Sequence, residues 1–313
     1  MSLRVLALCG GIGGAKLALG LHTVLPPGHL TVVANTGDDF EHLGLCISPD
    51  VDTVLYTLAG IANPQTGWGR AEETWHFMAE LERVGGPTWF QLGDKDLATH
   101  VERTRRLRSG ERLHEIIDDF SRRFGIAGTV VLPMSNDSVR TIVHADQGNL
   151  GFQDYFVARR CAPIVQRISY QRAEQAHAAG TVLQQLAESH FDAVIICPSN
   201  PYLSIQPLLA IPEWHSALQH SPAPVIAISP IIAGNAVKGP TAKIMRELGV
   251  DVSAVAVARH YDELIDGFVV DEADANCMAQ LTVRALATRT LMQTLADKQS
   301  LAQQVLQFAA TLR

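Results

Sequence analysis

The stretch that decides the fold is RVLALCGGIGGAK, residues 4–16, continued by LALGLHTVL to Leu25 and by LTVVAN, residues 30–35. Arg4–Cys9 reads as a buried strand, and Gly10–Gly14 as a tight turn. Ala15–Leu25 reads as a helix and Leu30–Asn35 as a second strand rich in β-branched residues. Strand, helix and strand within about 30 residues form a βαβ unit, which in nearly all proteins is parallel. Further apolar runs continue the pattern at Thr129–Leu132, Asp192–Cys197, Pro224–Ile228 and Val252–Ala258. Such unbroken apolar strands suit a parallel sheet covered on both faces. The expected fold is α/β, a Rossmann-like three-layer arrangement around a parallel sheet.

Between Val51 and Phe124 the character changes: AEETWHFMAELERV (71–84) and the segment 94–124 are charged and helical in period. The expected division is therefore a nucleotide- or phosphate-binding domain, 1–50 with 125–313, interrupted by a helical insertion, 51–124. Trp68, Trp75 and Trp89 are expected in the core of that insertion, with an aromatic platform for a ligand as the alternative. A glycine-punctuated β excursion is expected within 140–170, and an amphipathic helix over Leu295–Leu312.

Composition narrows the function. The 313 residues are 47% hydrophobic and 18% charged, with net charge −7, which excludes a disordered chain. A pI near 5.9 argues against nucleic acid as a partner. No apolar run approaches the roughly 20 residues of a membrane span, and the N-terminus lacks a signal-peptide pattern. A cytoplasmic protein with small-molecule partners is expected. The five cysteines are scattered without a CxxC pair, so neither a disulfide framework nor a zinc site is indicated.

Five stretches can carry chemistry. Gly10–Lys16 lies between strand and helix, where backbone N–H groups and the helix N-terminus favour a phosphate. It fits neither GxGxxG, since Lys16 stands where the third glycine belongs, nor GxxxxGK[ST], since alanine precedes the lysine. A ligand-free βα turn is its plain alternative. Asn35-Thr36-Gly37-Asp38-Asp39 follows the second strand, and Asp50 and Asp52 follow soon after. Carboxylates at strand ends beside a diphosphate suit a magnesium ion, although Asp50 or Asp52 can equally cap a helix beginning near Thr53. LGDKDLATH (92–100) offers Lys95 to an anion and Asp94 or Asp96 as a helix cap. Ser199, Asn200 and Ser204 follow the strand ending at Cys197. Ser229, with Lys238 between Gly234 and Gly239, follows the next one. PMSND (133–137) is a further candidate for the same crevice. The histidines lack metal spacing, and no GxSxG elbow is present.

Taken together in order, GGIGGAK, NTGDD, ISPDVDTVLYTLAG, GWGRAEETW, LGDKDLATH, PMSND, GFQDYF, PSNPYLSIQPLL and SPIIAGNAVKGP resemble the 2-phospho-L-lactate transferases of deazaflavin coenzyme (coenzyme F-420) biosynthesis. The resemblance covers nearly the whole chain. It implies transfer of a phospho-three-carbon acid from a guanosine diphosphate-linked donor to the ribityl hydroxyl of a deazaflavin acceptor. GMP is released with Mg2+ as cofactor. The three-carbon acid is 2-phospho-L-lactate, phosphoenolpyruvate or 3-phosphoglycerate.

On that resemblance Asp38 and Asp50 match the metal-binding aspartates, with Asp52 as a third catalytic carboxylate. Gly11, Gly13, Gly14, Lys16, Asn35, Asp39, Ser199, Asn200, Ser204, Ser229 and Lys238 would contact substrate. Lys95 stands where many relatives look to have arginine, on the acceptor side with the insertion. A homodimer is implied by the resemblance alone. The alternative function is a nucleotide- or sugar-nucleotide-binding regulator without transfer activity.

Overall fold

The computed structural model describes residues 3–312. Seven parallel strands form the central sheet: β1 (Val5–Cys9), β2 (Leu30–Ala34), β3 (Thr129–Pro133), β4 (Ala193–Ile196), β5 (Val225–Ile228), β6 (Gly267–Asp271) and β7 (Arg284–Thr288). Their spatial order is β7-β6-β5-β4-β1-β2-β3. The chain grows outward in one direction from β1 to β3, returns to place β4 on the other side of β1, and grows outward again. Every residue of β1, β2, β4, β5 and β6 is buried, which explains their largely apolar sequences. The α/β fold is as expected.

Two differences have local causes. Val252–Ala258, expected as a strand, lies mostly in a helix, Ala254–His260. A short apolar run cannot be told from a buried helix by period alone, and here the Ser253 hydroxyl accepts from Ala256 N–H and caps the helix. The outer strands β6 and β7 lie outside the expected apolar runs. β7, RALAT, is an edge strand of half-buried and exposed residues and carries no apolar signal.

Helix α1 (Gly11–Val24) starts inside the glycine turn itself, four residues earlier than its apolar pattern. It packs against α2 (Pro49–Leu58) and the C-terminal helix Leu295–Leu312. The other helices of 51–124 are α3 (His76–Arg83), α4 (Asp94–Arg108) and α5 (Leu113–Arg123). They are used in two ways. Val51, Val54, Leu55 and Leu58 of α2, with Ile116, Ile117 and Phe120 of α5, join β1 and β2 in one core. Met78 of α3 instead packs with Ile47 and Leu92 in a small separate cluster.

Within this region the helix caps are exchanged. The Asp94 carboxylate accepts from His76 and Phe77 N–H at 3.1 and 3.0 Å, capping α3. Glu73 accepts from Lys95 and Asp96 N–H, both at 2.8 Å, capping α4. Asp94 thus caps the preceding helix and not its own. Helix α2 begins at Pro49, so Asp50 and Asp52 lie in its first turn without a capping bond.

The excursion after β3 is a three-stranded antiparallel sheet, Gly148–Gly151, Arg140–Ala145 and Val165–Gln171 in that order. No helix among the described residues is long and apolar enough to cross a membrane.

Candidate active site

In open parallel sheets a ligand crevice forms where the strand order reverses, beyond the carboxyl ends of the two strands concerned. Here those strands are β1 and β4. A cavity of about 570 Å³ opens there, walled by Gly10–Gly13, Pro198–Asn200 and Ser204. The two loops are stitched together at Ser199. Its Oγ accepts from Gly10 N–H at 3.1 Å and donates to the Gly10 carbonyl at 2.8 Å. Gly13 allows the close approach, since a Cβ there would lie 2.3 Å from the Pro198 carbonyl oxygen.

One wall is acidic. Asp38, Asp50 and Asp52 all line the cavity and all are buried. Asn35, at the end of β2, ties the first two together: its Nδ2 donates to Asp38 Oδ1 and Asp50 Oδ2, each at 3.0 Å. Burial, and then the neighbouring Asp50 and Asp39 charges, push the Asp38 carboxyl well above its ordinary value. Asp50 is pushed up to about 6 by burial, against the hydrogen bonds from Asn35 and Gly11 N–H. Asp39 stands behind the wall, where Ser48 Oγ donates to it at 2.7 Å. Burial outweighs Arg140 and Ser48 there and raises it to about 7.

The acidic wall has the donor chemistry of a magnesium site. Asp38 and Asp50 are hard oxygen donors held together despite like charge. Among the described residues neither has a lysine or arginine within ion-pair distance. A small divalent cation is the partner such a pair lacks, so the residues fit. A second trio, Asp52, Asp96 and His100, brings ligand atoms within 4.8 Å of one another. Its Asp52 is already forked by the Arg103 guanidinium, which makes the trio part of an ion-pair network.

Another part of the lining is basic. Lys16 and Lys238 both line it. Lys16 Nζ donates to the Met292 carbonyl at 2.8 Å. Burial, then Lys238 and Lys298, hold its pKa below the usual lysine value. Lys238 Nζ reaches the Thr66 carbonyl at 3.3 Å. That contact brings the loop before Trp68 over the start of α1.

The rim is aromatic. Trp68, Trp89, Phe90, Phe152 and Phe156 line the cavity mouth. Phe152 and Phe156 stack at 5.3 Å and 16°. Trp89 and Phe90 belong to an edge-to-face cluster with His42 and Phe40. The expectation that the tryptophans form a core is corrected: Trp68, Trp75 and Trp89 are 47, 43 and 38% exposed.

Of the residues expected at the site, Gly11, Gly13, Lys16, Asp38, Asp50, Asp52, Ser199, Asn200, Ser204, Ser229 and Lys238 line this one cavity. Asn35 and Asp39 stand behind its carboxylates. Gly14 lies beneath it, where a Cβ would meet Cys9 Cβ and Ser199 Oγ at 2.6 Å. Lys95 is outside the lining, its Nζ 3.3 Å from the Ala71 carbonyl and 3.9 Å from Glu72. PMSND is outside it as well; Asn136 accepts from His114 and Asp137 from His177 N–H. Tyr56, His100, Phe152 and Phe156 also line the cavity and were not among the expected site residues, whereas Trp68 and Trp89 take the alternative, ligand-facing place. LGDKDLATH and GFQDYF contain His100, Phe152 and Phe156, but no local pattern distinguished them.

The family model for 2-phospho-L-lactate transferase CofD matches residues 5–311. The chain belongs to the 2-phospho-L-lactate transferase family. This transferase is 40% identical over 308 residues to a phosphoenolpyruvate transferase of Kitasatospora aureofaciens, covering 96% of this chain and 95% of that one. It is 37% identical over 306 residues to a 2-phospho-L-lactate transferase of Methanococcoides burtonii, covering 97 and 98%. Among solved structures, a UPF0052 family protein of Bacillus halodurans superposes with a TM-score of 0.64 at 16% identity, covering 98 and 99%. That likeness shows the shared fold. For a member of this transferase family the regulator alternative is not favoured.

Proposed function

We propose that the cavity transfers a phosphate-linked three-carbon acid from a guanosine diphosphate-linked donor to the ribityl hydroxyl of a deazaflavin, with release of GMP. The observation that carries this is the division of one cavity into three surfaces. The glycine turn and the two lysines suit phosphates, the acid pair suits a divalent cation, and the aromatic rim suits a flat tricyclic acceptor. The family supports the reaction class, and the names of the relatives supply two of the candidate acids, phosphoenolpyruvate and 2-phospho-L-lactate.

Gly13, in the first turn of α1, offers its backbone N–H to the diphosphate, and Gly11, whose own N–H is held by Asp50, lets the chain pass close to it. Lys16 and Lys238 face it from the basic wall. Asp38 and Asp50 would hold the magnesium ion, which when bound offsets negative charge on the diphosphate and on departing GMP. Asn35 keeps those two carboxylates side by side. Stacking against Trp89 or the Phe152–Phe156 pair would fix the ring, and the ribityl chain then runs inward toward Asp52. Holding the hydroxyl in line with the phosphorus supplies much of the acceleration.

Deazaflavin fluorescence tests the arrangement directly. Separate surfaces predict that GDP and deazaflavin bind together, so saturating GDP leaves the bound deazaflavin signal in place. Displacement of one by the other, or no deazaflavin binding, would refute it.

A further inference from the structure

Behind the acidic wall lies an arginine without exposed surface. Arg103, on α4, is 0% exposed and does not line the cavity. Its Nη1 donates to Asp52 Oδ2 at 3.1 Å, and its Nη2 donates to Asp52 Oδ1. Nη1 also lies 3.4 Å from the Cys46 carbonyl and from His100 Nδ1. Its Nε has no hydrogen-bond partner among the described residues.

His100 sits between two carboxylates. Nδ1 is 3.6 Å from Asp52 Oδ2, and Nε2 is 3.3 Å from Asp96 Oδ2. Asp96 Oδ1 in turn accepts from the Tyr56 hydroxyl at 2.6 Å. Asp52, Tyr56, Asp96 and His100 form one continuous strip of the cavity wall.

A fully buried ion pair is a poor device for stability, because desolvating both charges offsets their attraction and an apolar pair of the same volume often does better. What the planar fork supplies is orientation: two parallel N–H···O bonds fix the carboxylate plane. Each carboxylate oxygen keeps a further lone pair for another donor. The contrast with the neighbouring acids gives the pair its meaning. Asp38 and Asp50 share an amide and lack a cation, which suits them to a metal ion. Asp52 already has its cation, so the pair attracts neither metal nor phosphate strongly. A neutral, oriented hydrogen-bond acceptor of this kind matches an uncharged hydroxyl.

We propose that Arg103 is a positioning residue for the acceptor. Through its two-pronged hold it fixes Asp52 as the hydrogen-bond acceptor for a hydroxyl of the acceptor's polyol chain. Asp96, held by Tyr56 and adjoining His100, offers a second acceptor along the same strip. A chain bearing several hydroxyls is thereby aligned between two carboxylates from different helices. This rests on the transfer reaction proposed above.

The test is steady-state kinetics of the full-length protein with deazaflavin varied at saturating donor, together with GDP affinity by calorimetry and thermal melting. Arg103→Lys keeps the charge and loses the fork. The expected result is a fall of about tenfold or more in kcat/KM for deazaflavin, with GDP affinity within about twofold of wild type. Wild-type acceptor kinetics in R103K would overturn the proposal, as would an equal loss in GDP affinity. Should R103K fail to fold, D52N and D52N/R103M decide the matter. If Arg103 acts through Asp52, the double variant performs like D52N alone. A further loss in the double variant, with GDP affinity intact, would overturn it. Absence of transfer and of deazaflavin binding in the wild type would refute the functional proposal first, and this one with it.

Discussion

Gly10 and Asp50 are fitted to each other: a Cβ on Gly10 would lie 2.5 Å from Asp50 Oδ2. Gly10 has φ −155°, a backbone that any residue adopts, so the requirement is for space. Ser204 Cβ, 2.6 Å from the same point, closes the other side. Gly10→Ala must therefore move the Asp50 carboxylate or part the two loops. Overpacking of this kind costs about 1–3 kcal/mol, and displaced catalytic geometry costs on the order of a hundredfold in rate. GMP release and thermal melting of G10A check both effects; near-wild-type release would show that Asp50 needs no such fixed position.

Asn35 is expected to govern cation affinity. Its amide is the shared donor of Asp38 and Asp50, and without it their mutual repulsion is relieved by separation or protonation. Asn35→Ala should weaken magnesium binding by about tenfold or more, the scale seen when groups orienting metal ligands are removed. Calorimetric titration with magnesium measures this. Unchanged affinity would mean that other residues hold the carboxylates.

The raised carboxyls set a pH dependence whose sign is definite. Asp50 at about 6 and Asp39 at about 7 lie above the ordinary aspartate value of 3.8. Between pH 4 and 7 the folded chain therefore binds more protons than the unfolded one, and stability falls as pH rises. The contribution is fully present below about pH 4 and is lost as pH passes through the folded values. Its size is on the order of a few kcal/mol. A bound cation requires ionised carboxylates, so magnesium should raise the melting temperature more at pH 7.5 than at pH 5.5. Melting with and without magnesium at the two pH values measures both trends.

The aromatic rim should separate acceptor from donor. Trp89→Ala or Phe156→Ala removes a ring from the mouth without touching the glycine turn. Losing a stacking surface costs about 1–3 kcal/mol, so KM for deazaflavin should rise roughly tenfold or more while GDP affinity is unchanged. A rise in GDP Kd of the same size would place the nucleotide base, and not the deazaflavin, at this rim.

The parts legible in the sequence are those whose signal is local. Arg4–Asn35 declares its strands through apolar runs and its turn through consecutive glycines, while Asp38 follows a strand end and Asp50 and Asp52 open a helix. Tertiary information was needed elsewhere. β7 lacks an apolar pattern because an edge strand is half covered, and Val252–Ala258 is too short for its period to choose between strand and helix. Arg103 reads as one more charge on a basic helix until its partner, 51 residues away in the chain, shows that it is buried. Trp68 and Trp89 look like core by residue type; only the packing of separate loops leaves them exposed at a cavity mouth. Lys95 carries its charge in a motif, yet its Nζ lies 3.3 Å from the Ala71 carbonyl and its backbone N–H serves the Glu73 cap, neither of which a local pattern shows.

The most direct measurement is to incubate the purified protein with magnesium, deazaflavin and each of three guanosine diphosphate-linked donors, carrying phosphoenolpyruvate, 2-phospho-L-lactate or 3-phosphoglycerate, while following product mass and GMP. The account predicts a deazaflavin product heavier by one phospho-acid unit, formed one-for-one with GMP, and lost in folded Asp38→Ala and Asp50→Ala variants. Binding of GDP without transfer from any of the three donors would contradict it.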